Sequence, residues 1–204
     1  MRIFSSFLVP LAAVVFFGCG SNPVWQRQRF GFAIPSDPQS SLSNTNITSL
    51  EHLTVLPQFD SRSFTYRTAE DTYEHDPYAS FMVSPDRALA QAIRARLRNS
   101  GGFGRVLEQG SGMTSSVVVE ASVSELDGDF RDPSHPLAAM TIHFIVYQLG
   151  LDGPGRVLLD KVCTCRTPLA RRTPAAVIAA WDADLSKIMD ELNSDYAKAN
   201  LNDR

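Results

Sequence analysis

The chain has 204 residues, of which 44% are hydrophobic and 20% are charged, and its formal net charge is -3. This length and this apolar fraction are typical of one globular domain with a core of its own. The mildly acidic balance argues against a nucleic-acid-binding protein, because such proteins present a clustered basic face.

The first 18 residues have the layout of a secretory signal. Arg2 supplies a positive charge, an apolar run follows from Ile3 to Phe17, and the small residue Gly18 ends it. A membrane-spanning helix needs roughly 20 apolar residues, and this run is shorter and is interrupted by a proline. A cleavable signal over residues 1–18 is therefore predicted.

The stretch FFGC places a thiol directly after the bond expected to be cleaved, and it resembles the lipobox of bacterial lipoproteins. The resemblance implies that Cys19 becomes the mature N-terminus, with a diacylglycerol on sulfur and an amide-linked acyl chain such as palmitate. Several acyl chains, each gaining about 0.8 kcal/mol per buried methylene, anchor a protein stably. An Asp directly after the lipidated cysteine usually retains a lipoprotein at the inner membrane. This position is Gly20 here, which indicates that the lipoprotein is sorted to the outer membrane. The alternative is an ordinary signal in which Cys19 is a small apolar residue.

Residues 19–46 are rich in Ser, Pro, Asn and Gln and lack periodicity. They are predicted to form the lipidated N-terminus and a flexible tether, followed by a folded domain over residues 47–200. Within the tether, WQRQRFGFAI is more aromatic than a linker requires. This stretch either belongs to the tether or packs on the domain as an extra strand.

Two strands are predicted at the start of the domain. LEHLTVLP indicates a strand over residues 50–57, and SFTYRT indicates a second strand in which Phe64 and Tyr66 share one face. The aromatic stretch TYEHDPYASFMVSP is predicted to be a loop.

A helix is predicted next, with Ser84 as its N-cap and Pro85 at its first position. It ends at residues 99–102, where Asn and Gly are typical terminators. Apolar residues recur every four positions to form a buried stripe of Leu89, Ile93 and Leu97. The arginines of this helix are predicted to face solvent.

Three strand-like runs follow: SSVVVEASVSEL, AAMTIHFIVYQL and RVLLDKVCTCRT. Their connections, DGDFRDPSHP and GLDGPG, hold the Gly, Pro and Asp of turns, and such short connections predict antiparallel neighbours. A long helix capped by Thr173 closes the chain. Its apolar stripe comprises Val177, Trp181, Leu185, Ile188, Leu192 and Tyr196. The order of elements predicts an α+β two-layer sandwich, with a mainly antiparallel sheet and two helices packed on one face.

Cys163 and Cys165 are separated by one residue in a predicted strand. Their side chains would point to one face with near-parallel directions, so a disulfide between them would be strained. They are interpreted as two small buried residues, with a disulfide and a metal site as the alternatives.

The sequence predicts no enzyme, no cofactor and no metal site. The four histidines His52, His75, His135 and His143 lack a second His or Cys at ligand spacing. The glycines of SGGFGRV follow a helix and precede a strand, which is the reverse of a phosphate loop.

Aromatic and methionine side chains are concentrated just before the first helix, at Tyr73, Tyr78, Phe81 and Met82. Such residues on a connection are typical of binding surfaces. The alternative is that they cover the N-terminal end of the helix as part of the core.

Three short motifs occur in a characteristic order. They are the Y-R of Tyr66 and Arg67, the D-x-Y-x-x-F of Asp76, Tyr78 and Phe81, and the S-G-x-F-x-x-V of Ser100, Gly101, Phe103 and Val106. With the lipobox before them, they resemble the ABC-type transport auxiliary lipoprotein family, the PqiC-like proteins. The resemblance runs from about Leu50 to the final helix.

The resemblance implies an envelope lipoprotein that works with an MCE-domain protein and an ABC transporter in moving lipids between the inner and outer membranes. On this interpretation the domain faces the periplasm, performs no chemistry and binds its partner through Tyr66, Arg67, Tyr73, Tyr78, Phe81 and Met82. A ring-like homo-oligomer would match the symmetric partners of the family. Two alternatives remain open: an outer-membrane assembly lipoprotein that partners a β-barrel, and a periplasmic hydrolase.

Overall fold

The computed structural model describes residues 26–36, 45–150 and 153–201. The predicted signal, Cys19 and residues 37–44 of the predicted tether lie outside these ranges. The elements in chain order are β1 (Gln28–Phe30), β2 (Ile47–Val55), β3 (Ser63–Ala69), β4 (Thr72–Phe81), α1 (Pro85–Ser100), β5 (Arg105–Val106), β6 (Val117–Asp129), β7 (Leu137–Gly150), β8 (Gly153–Pro168) and α2 (Pro174–Leu201).

The eight strands of the described residues form one sheet, with β6 at its centre. One edge of β6 is shared by two strands: β2 pairs with its first half and β3 with its last two residues, both in parallel. The other edge pairs with β7, and β7 pairs with β8, in two long antiparallel ladders. β4 and β1 extend the sheet beyond β3, and β5 extends it beyond β2. β1 and β8 therefore lie at opposite edges.

Both helices cover the same face of this sheet, α1 over β2 and β5 and α2 over β7 and β8. The apolar stripes predicted for α1 and α2 are fully buried, at 0% exposure for every member. Trp181 anchors the core, because its ring packs on Phe64 and Phe81 and its Nε1 donates to the carbonyl of Ala139 at 3.1 Å. The α+β two-layer prediction is confirmed. The longest ladders are antiparallel, as predicted. The parallel pairs were not predicted.

The stretch WQRQRFGFAI adds a strand to the domain, since β1 pairs with the end of β4. The chain then crosses the helices, where the Ala33 amide donates to Asp182 at 2.9 Å and Phe32 is 7% exposed. Arg96 donates to the carbonyl of Ala33 at 3.1 Å. The prediction that the arginines of α1 face solvent is wrong for this residue, because its guanidinium holds the N-terminal segment against α2. It is also wrong for Arg94, which is 8% exposed.

Several boundaries differ from the sequence predictions. The stretch predicted as a loop before α1 is the strand β4, and the first strand covers Ile47–Val55 instead of residues 50–57. The DGD predicted as a turn belongs to β6, because β7 provides hydrogen-bonding partners up to Asp129.

Cys163 and Cys165 are free, and Cys163 is buried. Across the described ranges, no helix combines the length and apolarity needed to cross a membrane.

Candidate partner-binding site on strand β4

A bulge in the middle of β4 defines the candidate site. Thr65 of β3 pairs with His75, and Ser63 pairs with Ser80, so four residues of β4 lie opposite one residue of β3. The carboxylate of Asp76 holds this bulge, because its Oδ1 accepts the amides of Tyr78 at 2.8 Å and Ala79 at 2.9 Å. Pro77 lacks an amide proton and so suits a position without a ladder bond.

Tyr66 braces the bulge from the neighbouring strand. Its hydroxyl donates to Oδ2 of Asp76 at 2.7 Å, and its ring stacks on Phe130 with centroids 4.8 Å apart. Burial and the bond to Asp76 raise the pKa of the Tyr66 hydroxyl above its ordinary value. A side chain at Gly128 would lie 2.9 Å from the Tyr66 ring, so this ring requires glycine beneath it.

The six predicted partner-binding residues occupy different environments. Tyr78 and Met82 are 44% and 63% exposed, whereas Phe81 is 2% exposed and packs between Phe32 and Trp181. Phe81 is therefore a core residue that cannot contact a partner directly. Tyr66 is half-buried and supports the bulge.

The remaining two predicted residues meet at the far end of the β3–β4 hairpin. The Arg67 guanidinium lies over the Tyr73 ring, 5.7 Å from its centroid. Phe59 meets the same ring edge-on at 5.7 Å, and Tyr73 is 37% exposed. Tyr73 thus lies near the start of β4, Tyr78 lies within its second half, and Met82 directly follows its end, so the three do not form one compact patch.

The third motif of the sequence organises the end of α1. Gly101 ends the helix with a left-handed φ of 66°, and its amide donates to the carbonyl of Arg98. Phe103 stacks on Tyr196 of α2 with ring centroids 4.1 Å apart. These residues connect the two helices and do not line the bulge.

An acidic group on the face of the sheet opposite the helices was not anticipated, because its residues were predicted to lie partly in a turn. Asp127 is 1% exposed, and neither of its carboxylate oxygens has a hydrogen-bond partner in the described structure. Burial raises its pKa to about 7, with further contributions from Glu125 and Asp129. Arg131 instead lowers the pKa of Asp129 by bonding its carboxylate.

The structure brings two of the four histidines together. His52 and His143 line a shallow depression of about 170 Å³ on the same open face, and His143 Nε2 lies 2.6 Å from Asp160 Oδ1. Among the residues that the structure describes, no group of three or more His, Cys, Asp or Glu side chains is placed to hold a metal ion.

Comparison with known proteins identifies the family. The family model for the ABC-type transport auxiliary lipoprotein component matches residues 32–193. The chain belongs to this family. As a member of this family, the auxiliary lipoprotein is a component of the cell envelope that is associated with an ABC-type transport system. The family description agrees with a non-catalytic role.

Solved structures share the fold of this auxiliary lipoprotein at low sequence identity. A crystal structure of a Xanthomonas campestris protein of the DUF330 family has a TM-score of 0.66 and 18% identity, with 88% of this chain and 97% of that chain covered. The crystal structure of an uncharacterised protein has a TM-score of 0.60 and 11% identity, with 78% and 95% covered. No curated protein sequence matches the chain.

Proposed function

We propose that the protein is a non-catalytic outer-membrane lipoprotein, anchored through Cys19, that binds an MCE-domain protein of an ABC-type lipid transport system. The bulge of β4 carries this proposal. Asp76 fixes the backbone at Tyr78 by accepting the amides of Tyr78 and Ala79, while the Tyr78 side chain remains 44% exposed. A partner can therefore bind a side chain that projects from an ordered backbone.

The chemistry of the exposed residues supports a protein partner. Tyrosine and arginine are enriched at protein interfaces, and tyrosine offers a large contact area with little conformational freedom to lose. The Arg67 and Tyr73 pair at the hairpin end adds a second contact of the same kind. A contact that is ordered before binding costs less entropy on association.

Replacement of Tyr78 by alanine tests the site. Full-length protein is purified from its own membranes in mild detergent, and the recovery of the MCE protein is measured by mass spectrometry. Tyr78→Ala is expected to lower recovery at least about ten-fold, the loss of one interface anchor, and to leave the melting temperature within about 2 °C. Tyr147→Ala makes the same truncation on β7 and is expected to retain the partner.

Several outcomes would contradict the proposal. Unchanged recovery with Tyr78→Ala would remove the bulge as the binding site, and an unmodified N-terminal peptide would remove the anchor. Co-purification of a β-barrel without an MCE protein would favour the role in outer-membrane assembly. Phe81→Ala is unsuitable as a binding variant, because loss of a buried Phe costs about 3–5 kcal/mol of stability.

A further inference from the structure

The exposed side chains around β1 and the end of β4 combine apolar and basic groups. Met82 and Val83 are 63% and 43% exposed, and the Met82 amide donates to the carbonyl of Phe30 in β1 at 2.8 Å. The arginines exposed on the adjoining segments are Arg27, Arg29, Arg62 and Arg87. Together these six residues are called the basic–apolar face.

Hydrogen bonds and strand pairing connect several members of the face. Arg62 donates to the carbonyls of Phe81 and Met82, and Arg29 of β1 lies beside Ser80 of β4 in register. Arg87 belongs to the first turn of α1, which begins directly after Val83 and Ser84. Two acidic residues, Asp60 and Asp86, lie on the same segments, so arginine predominates.

The proposed lipid anchor at Cys19 would keep this face near the bilayer. Six residues lie between Cys19 and Gln26, and the seven Cα–Cα steps of this stretch span at most about 25 Å. β1 begins two residues later, at the edge of the sheet that carries the face. The opposite edge, β8, lies five strand spacings away, about 24 Å further at roughly 4.8 Å each.

We propose that the basic–apolar face is a second membrane contact, which rests on the anionic phospholipid leaflet that holds the acyl chains of Cys19. This inference depends on the anchor of the proposed function. Arginines near an anionic surface gain electrostatic attraction, and exposed apolar side chains between them enter the interfacial layer. The anchor supplies proximity, and the face sets the orientation of the domain.

Native methionines provide the probe for this contact. Met82 and Met113 are 63% and 49% exposed, whereas Met140 and Met189 are 0% and 5% exposed. Hydrogen peroxide oxidises exposed methionine to the sulfoxide, and mass spectrometry reads each site separately. Met113 follows β5 in a loop remote from β1 along the sheet, so it serves as the exposed reference.

The experiment uses full-length lipoprotein in vesicles of phosphatidylethanolamine and phosphatidylglycerol, and in vesicles of phosphatidylcholine alone. Flotation first establishes that the protein is anchored to both. The measured quantity is the oxidation rate of Met82 divided by that of Met113. This ratio is expected to be at least about three-fold lower in the anionic vesicles than in phosphatidylcholine, because the interface covers Met82. High salt is expected to restore its oxidation by screening the arginines.

Charge reversal provides the matched variants. Arg27→Glu with Arg29→Glu is expected to abolish the protection of Met82 while flotation persists. Arg105→Glu with Arg171→Glu changes the same number of exposed charges elsewhere and is expected to leave the protection intact.

Each remaining outcome is informative. Equal relative oxidation of Met82 in both kinds of vesicle, with normal flotation, would overturn the membrane contact and leave the anchor standing. Protection of Met82 in whole envelopes but not in pure vesicles would show that a protein covers the face, and would also overturn it. Failure to float would refute the anchor, and with it both the attachment in the proposed function and this contact.

Discussion

Asp127 is a carboxylate that the sheet buries without a hydrogen bond to either oxygen. Four charged side chains influence it: Glu125 and Asp129 raise its pKa, and Arg67 and Arg166 lower it. Burial is the largest effect, and the resulting pKa of about 7 lies above the ordinary value of 3.8. Between about pH 4 and pH 7, the folded protein therefore keeps a proton on Asp127 that the unfolded chain has already released.

This raised pKa predicts a pH dependence of stability. The contribution of Asp127 is fully present below about pH 4 and is lost as the pH rises to about 7, because the folded state must then hold an uncompensated charge. Asp127→Asn is expected to raise the free energy of unfolding at pH 8 by about 1–3 kcal/mol. Urea denaturation from pH 4 to pH 8 measures the effect.

Asp71→Asn provides the control, since Asp71 is exposed in the β3–β4 turn. The wild type and Asp71→Asn should show the same decline in stability between pH 4 and pH 7, and Asp127→Asn should show a smaller one. Parallel curves for all three proteins would mean that Asp127 is ionised in the folded state at neutral pH without a penalty.

At the scale of single elements, the bulge of β4 depends on one carboxylate. Asp76→Ala removes the acceptor of two amides and of the Tyr66 hydroxyl. Hydrogen exchange at the amides of Tyr78 and Ala79 is expected to accelerate at least about ten-fold. Tyr66→Phe removes only the brace, costs about 0.5–1.5 kcal/mol, and is expected to leave both amides protected. Protection that survives Asp76→Ala would show that another group holds the bulge.

The two helices differ in how they begin. Thr173 Oγ1 accepts the amide of Ala176 at 3.3 Å, whereas Ser84 occupies the N-cap position of α1 without a side-chain bond. Thr173→Ala is therefore expected to cost about 1 kcal/mol, and Ser84→Ala about 0.3 kcal/mol or less. Chemical denaturation of the two variants compares them directly, and equal costs would refute this difference.

The sequence predicted the helices well and β4 poorly, for a physical reason. Helix α1 has a Pro at its start, a Gly at its end and a regular stripe, and each of these signals is local. The alternation of β4 is interrupted by the bulge at Asp76 and Pro77, so its residues match no strand pattern. The same interruption concealed that Tyr78 and Phe81 have opposite environments.

At the scale of the whole molecule, the antiparallel neighbours β6, β7 and β8 could be predicted because short turns join them. The parallel pairs of β2 and β3 with β6 could not, since they join segments that are distant in the sequence. The contact of Asp182 with Ala33 is equally remote and has no local signature. The burial of Asp127 depends on this long-range arrangement. Composition, which is local, could indicate only a turn at this position.

The central position of β6 has a consequence for the order of folding. β6, β7, β8 and α2 are successive in the chain, whereas β2 and β3 precede β6 and join the long antiparallel ladders only through it. Local contacts form faster than distant ones because less chain entropy is lost in closing them. Pulsed hydrogen exchange during refolding is expected to protect amides of β6 and β7 before those of β2, and the reverse order would refute this. The N-terminal third of the domain would then be the last part to become resistant to proteases.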